Sequence, residues 1–121
     1  MKQSPIDNPV ATVSLIWVDA KGAELPITGF IGMPYKVAGQ GNEGQWACPH
    51  LLQGAFEEVP DIASGDSIQA LSLALYGLYH DLLRLLEDGG RLLNPVTRES
   101  FDLVTLKATF SRSTSQFPAV K

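Results

Sequence analysis

The fold is decided by residues 66–90, which read DSIQALSLALYGLYHDLLRLLEDGG. Apolar residues recur there at spacings of three and four, which is the period of one face of an α-helix. The main apolar line is Ile68, Leu71, Leu75, Leu78, Leu82 and Leu86. Asp66 is placed to cap the first turn, Gln69 to bond back to the Asp66 amide, and Gly89 to end the helix. The sequence therefore predicts one long amphipathic helix from Asp66 to Asp88.

The apolar stripe of this helix is wide, because further leucines flank the main line. A stripe of this width is what packing across a sheet requires. We expect five or six of the leucines to be buried, so that Leu75→Ala or Leu78→Ala costs about 2–5 kcal/mol.

Short segments with alternating apolar residues predict strands on both sides of the helix. The predicted strands are Val10 to Val18, Leu25 to Met33, Gln45 to Leu52, Ala55 to Val59 and Arg91 to Leu93. Residues 19–22 suit a tight turn, Pro26 indicates a strand start or an edge position, and Tyr35 to Gly44 reads as a loop. Phe101 to Phe110 favours a strand, with a short helix as the alternative. The predicted fold is α+β: an antiparallel sheet of four to five strands, with one long helix packed across one face.

Length and composition indicate a single globular domain over residues 1–121. The chain is 45 % apolar, which is typical of a folded domain. Residues 1–9 contain two prolines and residues 111–121 are rich in Ser and Thr, so both ends are expected to be flexible.

The net charge of the chain indicates which classes of partner it can bind. The net charge is −4 and the pI is about 5.0, with no run of basic residues. This argues against nucleic acid and against anionic membranes, and it suits a basic protein partner. Cys48 is the single cysteine, so no internal disulfide forms and a cytoplasmic location is expected. No signal peptide and no membrane span are expected either.

The segment Cys48-Pro49-His50 is the first candidate for chemistry. In a strand, Cys48 and His50 share one face with Trp46. They could bind a metal or pair as nucleophile and base, but a zinc site needs three or four ligands. The alternative, which we favour, is that Trp46 and Cys48 belong to the core and His50 lies at its rim.

The other candidates lie on loops and on the helix surface. His80, Asp81, Arg84 and Glu87 could form an acid/base cluster, but we favour the alternative that they are the polar face of the helix. The spacing Gly39-x-Gly41-x-x-Gly44 matches a dinucleotide fingerprint, but a strand follows it where that fingerprint requires a helix, so no cofactor is predicted. An acidic cluster, Glu57, Glu58, Asp61 and Asp66, lies just before and at the start of the helix. It could bind a basic partner or chelate a cation, although its spacing does not match a calcium-binding loop. The predicted contact residues for this partner are Tyr35, Glu57, Glu58 and Asp61.

Three motifs in order give the chain a resemblance to a family of small uncharacterised bacterial domains. They are Gly32-Met33-Pro34-Tyr35, Trp46-Ala47-Cys48 and the helix start Asp66-Ser67-Ile68-Gln69-Ala70-Leu71. The likeness covers roughly residues 10–93, and the stretch after Asn94 has no counterpart. It implies an antiparallel sheet with one long helix in a bacterial cytoplasmic protein, and it brings no activity or catalytic residues.

These observations lead to three hypotheses about function. The first is a non-enzymatic protein-binding module, in one version an immunity-type protein that neutralises a bacterial toxin. The second is a small enzyme or metal-binding protein that uses Cys48 and His50. The third is a homodimeric structural or ligand-binding domain that associates through an edge strand or a helix face.

Overall fold

The computed structural model describes residues 6, 8–39, 41 and 44–110. The elements are β1 Ala11–Val18, β2 Glu24–Ile31, β3 Tyr35–Lys36, β4 Trp46–Ala47, β5 His50–Gln53, α1 Ser67–Glu87, β6 Arg91–Leu93 and α2 Leu103–Phe110. An antiparallel sheet has the strand order β5-β2-β1-β6, and β3 and β4 form a separate pair. The helix α1 packs against the larger sheet, so the predicted α+β fold is confirmed.

The hairpin of β1 and β2 forms the centre of this sheet. Leu15 lies opposite Ile27, and the carboxylate of Asp19 accepts hydrogen bonds from two backbone amides of the connecting turn. Gly22 completes that turn with φ +89°, which glycine adopts without strain. Pro26 lies near the start of β2, before the residues that pair with β5. Proline has no N–H to donate, and at Pro26 no strand lies beside β2 on that side to accept such a hydrogen bond. A central strand therefore tolerates proline at this position.

The helix α1 begins and ends where the sequence predicts. The carboxylate of Asp66 accepts a hydrogen bond of 2.8 Å from the Gln69 amide. The side chain of Gln69 accepts from the amide of Gly65 at 3.2 Å and not from that of Asp66, which corrects one bond of the predicted capping box. At the other end Gly89 has φ +89°, the left-handed conformation that terminates helices.

The buried face of α1 differs from the predicted apolar line. Ile68 is 75 % exposed and Leu75 is 37 % exposed. In the first half of α1, Ala70 and Ala74 face the sheet. Because their side chains are small, the helix packs close to the sheet. Leu78 reaches β2 at Gly29, where a Cβ would lie 2.9 Å from its Cδ1. The buried residues of α1 are Ala70, Ala74, Leu78, Leu82 and Leu85.

The strand predicted over Phe101 to Phe110 is wrong, because this segment forms α2. The carboxylate of Asp102 accepts from the amide of Thr105 at 3.0 Å, as a helix N-cap does. Leu106 is fully buried, and the ring of Phe110 packs at 5.7 Å from that of Tyr79 in α1. The i, i+4 spacing of Leu106 and Phe110 puts both side chains on one face in a helix and in a strand alike, so the spacing alone does not distinguish the two structures.

Three further boundaries need correction. The strand predicted over Gln45 to Leu52 divides at Cys48 and Pro49 into β4 and β5, which belong to different sheets. The predicted strand Ala55 to Val59 is wrong, since the amides of Ala55 and Phe56 both turn back to the carbonyl of Leu52. The predicted loop Tyr35 to Gly44 begins with the short strand β3.

The predicted flexible ends are largely outside the described residues, which exclude 1–5, 7 and 111–121. Ile6 is described and is buried beside Gly32, so this residue packs on the body of the fold. Within the described residues, no helix combines the length and the apolar character needed to cross a membrane.

Candidate functional site

The connection between β5 and α1 exposes an acidic loop, which we define as residues 57–63 (EEVPDIA). Both ends of the acidic loop are anchored. Before it, the Phe56 ring packs under the guanidinium of Arg84, whose Cζ lies 4.7 Å from the ring centroid. After it, Ser64 exchanges two backbone hydrogen bonds of 2.8 Å with Trp46 of β4. The loop is therefore held in place although it forms neither helix nor strand.

A third anchor holds the middle of the acidic loop. The hydroxyl of Tyr35 in β3 donates a hydrogen bond of 2.6 Å to the carboxylate of Asp61. Because the neutral phenol is the donor, this bond raises the pKa of Tyr35 to about 12, with burial adding to the shift. Tyr35 is 44 % exposed, so its ring is available to a partner. The structure thus brings together two of the four predicted contact residues.

The other two predicted contact residues, Glu57 and Glu58, lie at the start of the same loop and are exposed. Two apolar side chains of the loop, Val59 and Ile62, are also more than half exposed. The surface therefore combines carboxylates, one phenol and aliphatic groups. Asp66, the last member of the predicted acidic cluster, instead caps α1.

The environment of Cys48 is unsuited to a nucleophile. Cys48 is 3 % exposed, and its thiol donates to the carbonyl of Gly32 at 3.3 Å. Burial, together with the nearby charge of Asp61, raises the pKa of this thiol. A nucleophilic cysteine needs the opposite, because the thiolate is the reactive form. The prediction that Cys48 belongs to the core is confirmed.

His50 contacts α1 across the interface between sheet and helix. Its Nε2 lies 3.9 Å from the Oδ2 of Asp81. Burial raises the pKa of Asp81, and the nearby His50, Arg84 and His80 oppose that shift. Asp81 therefore lies at the edge of the core and faces β5. It does not belong only to the solvent-exposed face of the helix, as the sequence predicted.

The space around Cys48 and His50 is small. Both side chains line a cavity of only about 10 Å³, closed by Ile62, Leu73 and Ala74. That volume is about the size of one water molecule. Among the described residues, no group of three or more His, Cys, Asp or Glu side chains is arranged to hold a metal ion.

Two adjacent apolar cavities, which the sequence did not indicate, lie where α2 ends. One has a volume of about 340 Å³ and lies along the outer face of α1, at Ser72, Tyr76 and Tyr79. The other, of about 220 Å³, opens beside the first residues of β1. Leu75 and Phe110 line both. Their position depends on α2 being a helix, so a sequence analysis that predicts a strand there cannot find them.

Comparisons with known proteins found no match to a protein family, a curated protein or a solved structure. The resemblance to small bacterial domains therefore stays a prediction.

Proposed function

We propose that this protein is a non-enzymatic module that binds another protein through the acidic loop and Tyr35. The observation that carries this proposal is that the loop is exposed and yet anchored at Phe56, Asp61 and Ser64. An exposed segment with fixed backbone loses little conformational entropy when a partner binds it. Such preorganisation favours recognition by surface complementarity.

The charge of this surface points to a basic partner. Glu57 and Glu58 carry exposed carboxylates, and the chain as a whole has a net charge of −4. A negative surface steers a positive partner during encounter and disfavours partners of the same sign. Tyr35 adds an aromatic contact of the kind enriched in protein interfaces.

One concrete form of the proposal is an immunity-type protein that neutralises a basic bacterial toxin in the cytoplasm. Small size, acidity and a preformed exposed loop support it. If the protein is an immunity-type protein, its toxin partner must present Lys or Arg side chains to the acidic loop.

The test is affinity capture from a host lysate that includes the products of neighbouring genes. The bait would be the unchanged protein, the loop variant Glu57→Lys/Glu58→Lys, and the control Glu99→Lys, which changes an exposed glutamate outside the loop. We expect a basic protein to be retained by the unchanged bait and the control, and lost with the loop variant. Retention of the same partner by the loop variant, or no partner above background, would contradict the proposal.

A further inference from the structure

The acidic loop forms one wall of the small cavity at Cys48. Trp46 and Ser64 exchange two backbone hydrogen bonds as an antiparallel pair. Continuing that register away from the pair places Ile62 opposite Cys48, and both side chains do line this cavity of about 10 Å³. Cys48 is 3 % exposed and Ile62 is 60 % exposed, so Ile62 lies on the solvent side of the thiol.

The acidic loop is weakly held between its two ends. Within the described part of the chain, residues 57–63 make no backbone hydrogen bond. The bond between Tyr35 and Asp61 holds the middle of the loop, but it is exposed, so water competes for both of its groups. Val59 and Ile62 are already more than half exposed, so little apolar area is lost to water when the loop moves. Segments with these properties open at a much lower free energy than the whole fold.

We propose that the acidic loop is a hinged cover, which swings away from Cys48 and His50 as one unit while both sheets and α1 stay folded. Phe56 and Ser64 fix its two ends, so the backbone rotations fall on the residues between them. Opening breaks one side-chain hydrogen bond and no strand pairing. A molecule that binds only the closed loop slows the opening, so this segment controls access to the cavity. The inference does not rest on the proposed function, because it concerns the free protein.

The test is the rate at which Cys48, the single cysteine of the chain, reacts with the small uncharged reagent N-ethylmaleimide in the full chain. We expect a rate about tenfold or more below that of the urea-unfolded chain, because the thiol reacts only when the loop is open. Low concentrations of urea should leave this rate unchanged, since opening exposes little surface.

A core variant separates opening of the loop from unfolding of the whole chain. Val18 is buried in β1, at the end of the sheet opposite to the pairing of Ile31 with His50. Val18→Ala should lower the free energy of unfolding, because it removes buried apolar groups. It should leave the reaction rate of the thiol unchanged, because the loop opens without the core.

Loss of the Tyr35 hydroxyl should speed the reaction. We expect Tyr35→Phe to raise the rate about two- to tenfold, which corresponds to one exposed hydrogen bond. This variant keeps the charge of Asp61, so the reactivity of the thiol itself stays the same. Tyr76→Phe removes an exposed hydroxyl on α1 outside the loop, and as the matched control it should leave the rate unchanged.

Two loop variants test whether this segment is the cover. Val59 and Ile62 are both exposed aliphatic residues of the acidic loop, but Ile62 lines the cavity at Cys48 and Val59 does not. Ile62→Ala should speed the reaction severalfold, because it opens the wall of the cavity. Val59→Ala is the control and should leave the rate unchanged.

Three results would overturn the proposal. If Val18→Ala raises the rate by the same factor as the unfolding constant, the thiol is reached only when the whole chain unfolds. If Tyr35→Phe and Tyr76→Phe react equally fast, the tyrosine bond does not hold the loop closed. If Ile62→Ala and Val59→Ala react equally fast, another segment covers the thiol.

Discussion

The imidazole of His50 lies against the backbone of Gly77, where a Cβ would be only 2.5 Å from its Nε2. Glycine inside a helix is about 1 kcal/mol less favourable than alanine. The contact with His50 explains why a glycine lies in the middle of α1, because any side chain at position 77 would displace the ring that joins β5 to the helix. His50 is thus accommodated by a missing side chain on α1 and faces Asp81 one helical turn further on.

The contact between His50 and Gly77 predicts that Gly77→Ala changes the free energy of unfolding in opposite directions with and without the histidine ring. We expect Gly77→Ala to destabilise the protein by about 1 kcal/mol, since the steric cost exceeds the gain in helix propensity. In a His50→Ala background the same substitution should stabilise it by a few tenths to about 1 kcal/mol. Urea denaturation of the four proteins measures both values. Equal effects of Gly77→Ala in the two backgrounds would show that the ring does not occupy this space.

The buried face of α1 predicts different costs for two neighbouring leucines. Leu78→Ala should lower the free energy of unfolding by about 2–5 kcal/mol, because this side chain is 3 % exposed and packs on β2. Leu75→Ala should cost about 1 kcal/mol or less, since the side chain lines surface cavities. Ile68→Ala, at 75 % exposed, is the control and should change stability by less than about 0.5 kcal/mol. Similar costs at Leu75 and Leu78 would contradict the observed orientation of the helix.

The bond between Tyr35 and Asp61 predicts a loss of stability at alkaline pH. The folded-state pKa of Tyr35, about 12, is higher than its ordinary value of 10.0, so the neutral phenol is favoured by folding. The stabilisation is fully present below pH 10 and is lost as the pH rises towards 12. Because the pair is exposed to solvent, we expect a contribution below about 1 kcal/mol.

The measurement is the difference in free energy of unfolding between the unchanged protein and Tyr35→Phe, across this pH range. The difference should shrink as the pH rises, and Asp61→Ala should abolish the same pH dependence. A constant difference from neutral to strongly alkaline pH would mean that the hydrogen bond is absent in solution.

The position of Asp81 predicts a second loss of stability with rising pH, in the same direction as for Tyr35 but in the acidic range. Burial raises the pKa of Asp81, so the folded state favours the protonated carboxyl. The stability that this group contributes is present at low pH and is lost as the pH rises through its folded-state pKa. We therefore expect Asp81→Asn to be more stable than the unchanged protein at neutral pH, by less than about 1 kcal/mol, and equal to it in acid. A gap that widens on acidification would contradict this assignment.

His50 provides the matched check on Asp81, because its proximity lowers the carboxyl pKa. In His50→Gln the pKa of Asp81, measured by the NMR titration of its carboxyl, should rise further. An unchanged titration would mean that the two side chains are farther apart in solution than 3.9 Å.

Local interactions in the sequence determined the parts of the fold that were predicted correctly. The helix from Asp66 to Asp88 could be predicted because caps and apolar period act over a few residues. The hairpin of β1 and β2 could be predicted because a tight turn fixes the register of its strands. The acidic cluster was also identified, since Glu57, Glu58 and Asp61 are close in sequence, but the strand predicted over Ala55 to Val59 hid the fact that Glu57 and Glu58 lie in a loop.

Contacts between distant residues decided the rest. Residues 101–110 have apolar side chains compatible with either period, and burial of Leu106 against α1 selected the helix. The bond between Tyr35 and Asp61 spans 26 positions, so no local pattern indicates it. The pairing of β6 with β1 stops at Ile16, which is a contact between residues 77 positions apart in sequence and therefore has no local signal. The sequence alone determined the turn between β1 and β2 and which segment is the central helix, because those free energies are local. The tertiary structure decided which surfaces stay open, because that depends on which elements pack together.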